Sequence, residues 1–317
     1  MDTSELLARR LISQGLAPTP AREGMRNGRD VAARLLALQA QNYPAGIRAL
    51  GLRCGLDDAA ITDEVRTLEL VRSWPQRGTL HFLHAADVRW MSKLLYPRVA
   101  NSQRGRRAAL GLSEEMVTRA RQALLEAVSS PLTRKEIYEV FSAAGIDPGD
   151  NRGSHLLRAF GGEGEVVQGP RRGAQEIFLR VDALGVEQFE PSDPFAELAA
   201  RYVAGHGPVG VADLMAWSAL SKSQALKAFA SIDAVQVEAA GQLMWMPHWH
   251  RDVSAEDIQH ALELRLGLPA FDEYLLGYAN KDLVLPPHLR GDILTPNGLS
   301  WPWVMQGGVA VASLRGT

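Results

Sequence analysis

A chain of 317 residues is too long for one ordinary domain and calls for two or three units of about 100–150 residues each. Hydrophobic residues make up 46% and charged residues 22%, with no run of 18 apolar positions, which excludes a disordered chain and a membrane-spanning helix. The net charge of −2 hides an asymmetry: residues 1–180 carry 26 Lys and Arg against 20 Asp and Glu, a balance of +6, and residues 181–317 carry 8 against 16, a balance of −8.

The N-terminus MDTSELLARR has acids and arginines where a signal peptide needs an apolar core, and the single Cys54 cannot form an internal disulfide. A reducing cytoplasm is the expected location. TSELLARRLISQGL, GRDVAARLLALQAQ and ITDEVRTLELV then read as three helices, followed by strands near Val71–Trp74 and Thr79–Leu83. Three helices followed by a hairpin is the order of a winged helix. The next stretch, KLLYPRVANSQRGRR, holds the densest basic cluster, Arg98, Arg104, Arg106 and Arg107, and is the leading candidate for phosphate contact. Arginine outnumbers lysine 29 to 5, which suits bidentate phosphate contacts and equally fits a GC-rich coding sequence.

A second copy follows. Residues 113–130 form a helix, Thr133-Arg-Lys-Glu136 is a capping box opening the next, and SHLLRAF fits a third. EVVQ and AQEIFLRV then flank the turn GPRRG, whose tip carries Arg171 and Arg172 and is placed either to meet a phosphate backbone or to stand as a solvated turn. The third copy is the clearest. Asp193 and Pro194 open DPFAELAARYVAGHG, two short amphipathic helices follow, and AVQVE, AAGQ and LMWM make a hairpin. Copies recur at roughly 90–100 residues. Beyond them FDEYLLGY, LVLPPHLR and TPNG read as short strands and turns, and a terminal hairpin ends the chain.

The expected fold is therefore α+β and mainly helical: winged helix one over 1–97, a basic connector and winged helix two over 98–190, winged helix three over 191–255, and a β-rich part over 256–317. Most familiar chemical signatures are absent: there is no phosphate-binding loop, dinucleotide GxGxxG, HExxH or CxxC. His81 and His84 lie three apart in a strand and so point to opposite faces, while His248 and His250 lack an evident third ligand, so no metal and no cofactor is expected. The tryptophans Trp245, Trp249, Trp301 and Trp303 fit a strand core better than a base-stacking platform. The informative segment is Leu38-Gln39-Ala40-Gln41-Asn42-Tyr43-Pro44. Pro44 disfavours helical geometry at Tyr43, so the preceding helix is expected to end near the glutamines. In an extended segment Gln39 and Gln41 share a side, and two carboxamides can hold one water or clasp a polar edge; they also fit plain helix-terminal polar residues.

Gln39-Ala40-Gln41 in LLALQAQNYP, Arg77-Gly78-Thr79-Leu80-His81 after Val71-Arg72-Ser73-Trp74, FDEYLLGY at 271–278 and TPNG at 295–298 stand in an order and spacing that resembles the AlkZ-like (YcaQ-type) winged-helix DNA glycosylases, over residues 4 to 300. The resemblance implies tandem winged helices in a C-shaped molecule that receives duplex DNA on its concave side, with 256–317 shorter than the family pattern. It implies excision of N7- or N3-alkylated purines, in some members as crosslinked bases, with Gln39 and Gln41 as the catalytic pair and the other blocks as scaffold. No lysine adjoins the motif, so a monofunctional hydrolase is expected. Duplex DNA is the expected partner, with no membrane and no nucleotide cofactor, and the protein is expected to be a monomer. Two other readings stay open: a non-catalytic DNA-binding or regulatory protein, and a set of winged helices used for protein interaction.

Overall fold

The computed structural model describes residues 1–17, 19 and 24–316. The chain folds into two compact units, Met1–Ile61 with Ser192–Thr317, and Thr62–Pro191. It starts in the first with α1 (Thr3–Ser13), where the Asp2 side chain accepts the Glu5 N–H, and α2 (Gly28–Leu35), where Asn27 accepts from Asp30 N. These caps satisfy backbone donors that the first helical turn leaves open. Then come β1 (Leu38–Gln39) and α3 (Tyr43–Cys54), and α4 (Asp58–Val65) runs across the boundary. The sequence reading had no helix at α3.

The second unit contains β2 (Leu70–Ser73), β3 (His81–His84), α5 (Val88–Ala109), α6 (Glu114–Ala127), β4 (Leu132–Thr133), α7 (Arg134–Ala143), α8 (Arg152–Gly162), β5 (Val166–Gln168) and β6 (Ile177–Arg180). Helices α6 to α8 followed by the β5–β6 hairpin are the winged-helix order expected. The capping box is present: Glu136 N donates to Thr133 Oγ1 at 3.2 Å, and Thr133 N donates to Glu136 Oε2 at 2.6 Å. Two features differ from expectation. The basic connector is not a link but part of α5, a 22-residue helix with Pro97 inside it. The two hairpins read as separate wings are neighbours in one antiparallel sheet, ordered β3-β2-β5-β6-β4, because Arg72 on β2 pairs with Gln168 on β5. Trp74, Leu80, Val117, Leu124, Phe141, Leu156, Phe160 and Phe178 fill the core beneath.

The chain returns to the first unit with α9 (Pro194–His206), α10 (Val211–Ser218), α11 (Lys222–Ala230), β7 (Val235–Ala239) and β8 (Gln242–Met246). Asp193 caps α9 and Ser221 caps α11. The two-residue turn Ala240-Gly241 has both φ angles positive, 49° and 70°, a conformation whose twist matches that of a tight hairpin. This is the third winged-helix copy as read from the sequence. Beyond it α12 (Ala255–Glu263) and β9 (Arg265–Leu268) appear, neither of them foreseen. FDEYLLGY is a short helix, α13 (Glu273–Leu276), and LVLPPHLR supplies α14 (Pro287–Ile293), so two segments read as strands and turns are helical. Asp272 and the paired prolines Pro286 and Pro287 are helix starters, which explains both. TPNG is the turn expected, and β10 (Trp303–Gln306) and β11 (Val309–Ser313) form the terminal hairpin, extended by β9. Thr317 lies outside the described residues.

The first unit has a charged interior. Arg53 on α3 donates to both oxygens of Asp272, at 2.9 and 2.8 Å, and to Gln14 Oε1 at 2.7 Å. Glu273 Oε1 accepts Trp217 Nε1 at 2.6 Å and lies 3.0 Å from His206 Nε2. Arg10 pairs with Asp213 at 3.2 Å and lies over the Tyr278 ring at 3.9 Å. All these side chains are buried. The FDEYLLGY block thus ties α1, α3, α9 and α10 together, a scaffold role.

Candidate functional site

The amide pair sits just past a tightly held helix end. Arg201 on α9 donates from Nε to Ala33 O at 3.0 Å, satisfying a terminal carbonyl of α2. At Gly205 on the same helix an added Cβ would stand 2.6 Å from Arg34 O and 2.9 Å from Leu35 Cδ2, so glycine is what lets α9 approach. The chain then reverses at Leu36, with φ 68° and ψ −52°, and Ala37 N donates to Leu35 O at 2.8 Å. This is a γ-turn of the rare, strained kind, made by a leucine that is fully buried.

Leu38 and Gln39 are extended, as the sequence implied. Leu38 and Ala40 are buried, Gln39 is half-buried and Gln41 is exposed, the alternation that sets both amides on the side away from the core. Gln39 Oε1 is sealed from solvent and has no hydrogen-bond partner. An acceptor left so costs about 1–3 kcal/mol unless water or a ligand meets it. Immediately afterwards Asn42 Oδ1 accepts Ala45 N at 3.1 Å and caps α3, with Pro44 in the first turn. Pro44 therefore opens a helix rather than only closing one. Asn42 two residues before a proline was the available signal. Leu36 and Arg201, which aim the segment, had none.

The arginine candidates fall in two places. Arg98, Arg104, Arg106 and Arg107 lie on α5, where about 100° per residue spreads them around the helix and not along one face. Arg104 and Arg106 are exposed; Arg98 and Arg107 are half-buried, and Arg107 lies 3.4 Å from Glu114. Arg171 and Arg172 are exposed in the β5–β6 turn, Arg171 4.0 Å from Glu176 and Arg172 3.6 Å from Glu136.

The family described as DNA glycosylase AlkZ-like matches residues 32–317, a span that includes both glutamines and every arginine candidate. The chain belongs to the AlkZ-like family. The interstrand DNA cross-link repair glycosylase of Streptomyces sahachiroi is 26% identical over 303 residues, covering 89% of this chain and 80% of that protein. The solved structure of Streptomyces sahachiroi DNA glycosylase AlkZ has a TM-score of 0.79 at 22% identity, covering 98% of this chain and 87% of that one, and shows that the AlkZ-like fold is shared. Membership supports a role in DNA repair as a glycosylase.

The other AlkZ-like blocks are structural. In Arg77-Gly78-Thr79-Leu80-His81 the His81 Nδ1–H donates to Thr79 O at 2.8 Å, leaving Nε2 to accept from Arg77 at 3.2 Å. Burial, then the Arg77 charge, holds His81 well below the usual imidazole range, so it is neutral. Among the described residues no three His, Cys, Asp or Glu gather as a metal set. His248 pairs with Asp233 and His250 with Ser13, each at 2.8 Å. Among the same residues no helix is long and apolar enough to cross a membrane.

Proposed function

We propose that the protein is a monofunctional DNA glycosylase that hydrolyses the N-glycosidic bond of N7- or N3-alkylated purines in duplex DNA, crosslinked bases included. The carrying observation is the Gln39-Ala40-Gln41 segment of an AlkZ-like chain: Gln39 ends an extended pair, Gln41 is exposed, and the Gln39 side-chain oxygen has no hydrogen-bond partner within the protein. The Streptomyces sahachiroi relative is an interstrand DNA cross-link repair glycosylase, which favours crosslinked bases among the substrates. We read the chain as three winged-helix copies, 1–97, 98–190 and 191–255, followed by 256–317, and working as a monomer without cofactor.

Two neutral amides suffice because the damage does the acid's work. Alkylation places formal positive charge on the purine, so the bond electrons return to the base and it departs neutral without protonation. The sugar acquires oxocarbenium character at C1′. Side-chain carbonyls of Gln39 and Gln41 hold a water on its open face and surround the cation with acceptors. The water oxygen bonds to C1′ and releases its proton to solvent, since an amide is no base near neutral pH. Exposed Arg104 and Arg106 on α5, with Arg98, Arg107, Arg171 and Arg172, supply phosphate contacts.

Duplex carrying N7-methylguanine is expected to release the free base with wild-type protein, with Gln41→Ala removing most of that release at unchanged thermal unfolding. Salt-dependent duplex binding that is blind to alkylation, with no base released from any alkylated duplex, would replace this reading with a non-catalytic DNA-binding or regulatory protein.

A further inference from the structure

Helices α5 and α8 of the second unit run antiparallel, and two contacts fix their register. Gly162, the last residue of α8, has no room for a Cβ against the Tyr96 ring, and Arg152, the first, donates from Nε to Leu110 O at 3.0 Å. Between these contacts α8 carries His155 and Arg158, three residues apart and so on one side of the helix, opposite the stretch of α5 that holds Arg106 and Arg107. The loop between β2 and β3 meets both helices: a Cβ on Gly78 would stand 3.4 Å from Val99 Cγ1 on α5 and 4.0 Å from Arg158 Cζ.

The charges gathered along this strip are positive and lack acids to answer them. Among the described residues Arg106 and Arg158 have no hydrogen bond and no acidic partner, and Arg107 meets only Glu114, 3.4 Å away at the exposed start of α6. Elsewhere in the unit Arg121, Arg134, Arg152 and Arg180 each reach a carboxylate. The three groups are also open to a ligand. Arg106 is exposed, Arg107 and Arg158 are half-buried, and every guanidinium nitrogen of Arg158 reaches solvent. Their field shows on two neighbours. Burial first, then Arg107, Arg158 and Arg106, holds the His155 imidazole below its ordinary range. Burial and Glu163 push the Tyr96 phenol up to about 12, against the pull of Arg107 and Arg158.

We infer that Arg106, Arg107 and Arg158 form one phosphate clamp for the DNA backbone, with Arg158 the residue that turns two arginines on the surface of α5 into a site. The inference rests on the reading of the protein as one that acts on duplex DNA. A guanidinium presents paired N–H donors to phosphate oxygens, and a bound phosphate relieves the mutual repulsion of three like charges. A cation is repelled by the same three groups.

The test is binding of the full-length protein to a short undamaged duplex labelled with fluorescein, by anisotropy over a series of NaCl concentrations. Arg158→Ala is expected to lower the slope of log affinity against log salt by about 0.9, the counterion release of one phosphate, and so to weaken binding about eightfold at about 0.1 M salt. Arg158→Lys keeps the charge and most of the slope. Arg119→Ala removes an equal charge from α6, where Glu115 lies 3.8 Å away, and is expected to change neither quantity. Arg158→Ala breaks no hydrogen bond or ion pair, so its unfolding curve is expected to match that of wild type. The clamp is overturned if Arg158→Ala binds as Arg119→Ala does, or if its salt slope stays at the wild-type value. Millimolar inorganic phosphate that displaces the duplex from wild type but not from Arg158→Ala, at equal ionic strength, would assign the strip to the free anion and overturn it too. Base release plays no part in these measurements. Binding that depends on Arg158 without excision of any alkylated base keeps the clamp and removes the glycosylase reading, excision with Arg158 idle does the reverse, and a wild type that binds no duplex removes both.

Discussion

The two units treat charge in opposite ways. The first encloses acid–base pairs: Arg53 with Asp272 is wholly inaccessible, and Arg10 with Asp213 nearly so. The second packs an apolar core, and its acid–base pairs are half-buried at most, as Arg121 with Glu165, or stand in solvent, as Arg66 with Asp63 and Arg89 with Asp182. Its buried Gln76, His81 and Gln168 are neutral, with Arg72 and Asp87 the ionisable exceptions. A buried pair is held by mutual need: neither charge tolerates loss of the other, whereas an exposed charge that loses its partner is taken up by water. The same two residue types are thus a structural joint in one unit and near-neutral decoration in the other.

The largest effect follows directly. Arg53→Ala strands Asp272 in the interior and also strips Gln14 Oε1 of its donor, so it is expected to destabilise the protein by about 3–5 kcal/mol. Arg66→Ala in the second unit is expected to cost less than about 1 kcal/mol. Urea unfolding of the two variants side by side measures this, and equal costs would erase the contrast between the units.

Acid sharpens the same comparison through His250. Its Nε2 lies 2.8 Å from Ser13 Oγ, and that hydroxyl donates to Gly207 O at 2.7 Å, so the ring N–H must point to the serine and Nδ1 is bare. Burial, then the Arg9 charge, pushes the imidazole from 6.5 down to about 3. The unfolded chain takes up a proton below about 6.5 that the folded chain refuses, so this contribution is complete above that pH. It is lost as pH falls toward 3, on the order of 3 kcal/mol by pH 4. Unfolding free energy measured from pH 7 to 4 is expected to fall less steeply in His250→Gln than in wild type. Parallel slopes would show that the histidine is accessible to protons in the folded protein.

The helices were largely legible because apolar spacing and caps are local: Asp2, Asn27, Ser113, Thr133, Asp193 and Ser221 each start a helix where the sequence places one. What was not legible was long-range. Joining of the two hairpins depends on Arg72 meeting Gln168, 96 positions further along the chain, and no local pattern records such a pairing. Basic density misled in a different way, since four arginines close in sequence are scattered around α5 once it is a helix. For the amide pair, residue types and extended geometry were readable. The turn that aims them was not, because a leucine carries no sign of positive φ.

That turn gives the smallest contrast. Leu36 before the amide pair and Leu68 in the second unit both have positive φ, 68° and 64°, but Leu36 is fully buried in a γ-turn and Leu68 is half-buried three residues beyond α4. Branching at Cβ is hardest to fit where φ is positive, so Leu36→Val is expected to cost about 1–3 kcal/mol, more than one lost methylene explains. Leu68→Val has the same chemistry with solvent beside it to yield into, and is expected to cost less. The functional readout separates them further. On the proposed reading, relaxing the turn at Leu36 re-aims Gln39 and Gln41 and lowers the single-turnover rate of base release in protein that is still folded. Leu68→Val leaves that rate at the wild-type value. Equal rates in both variants, measured where each remains native, would mean that the γ-turn supports the fold without setting the direction of the amides.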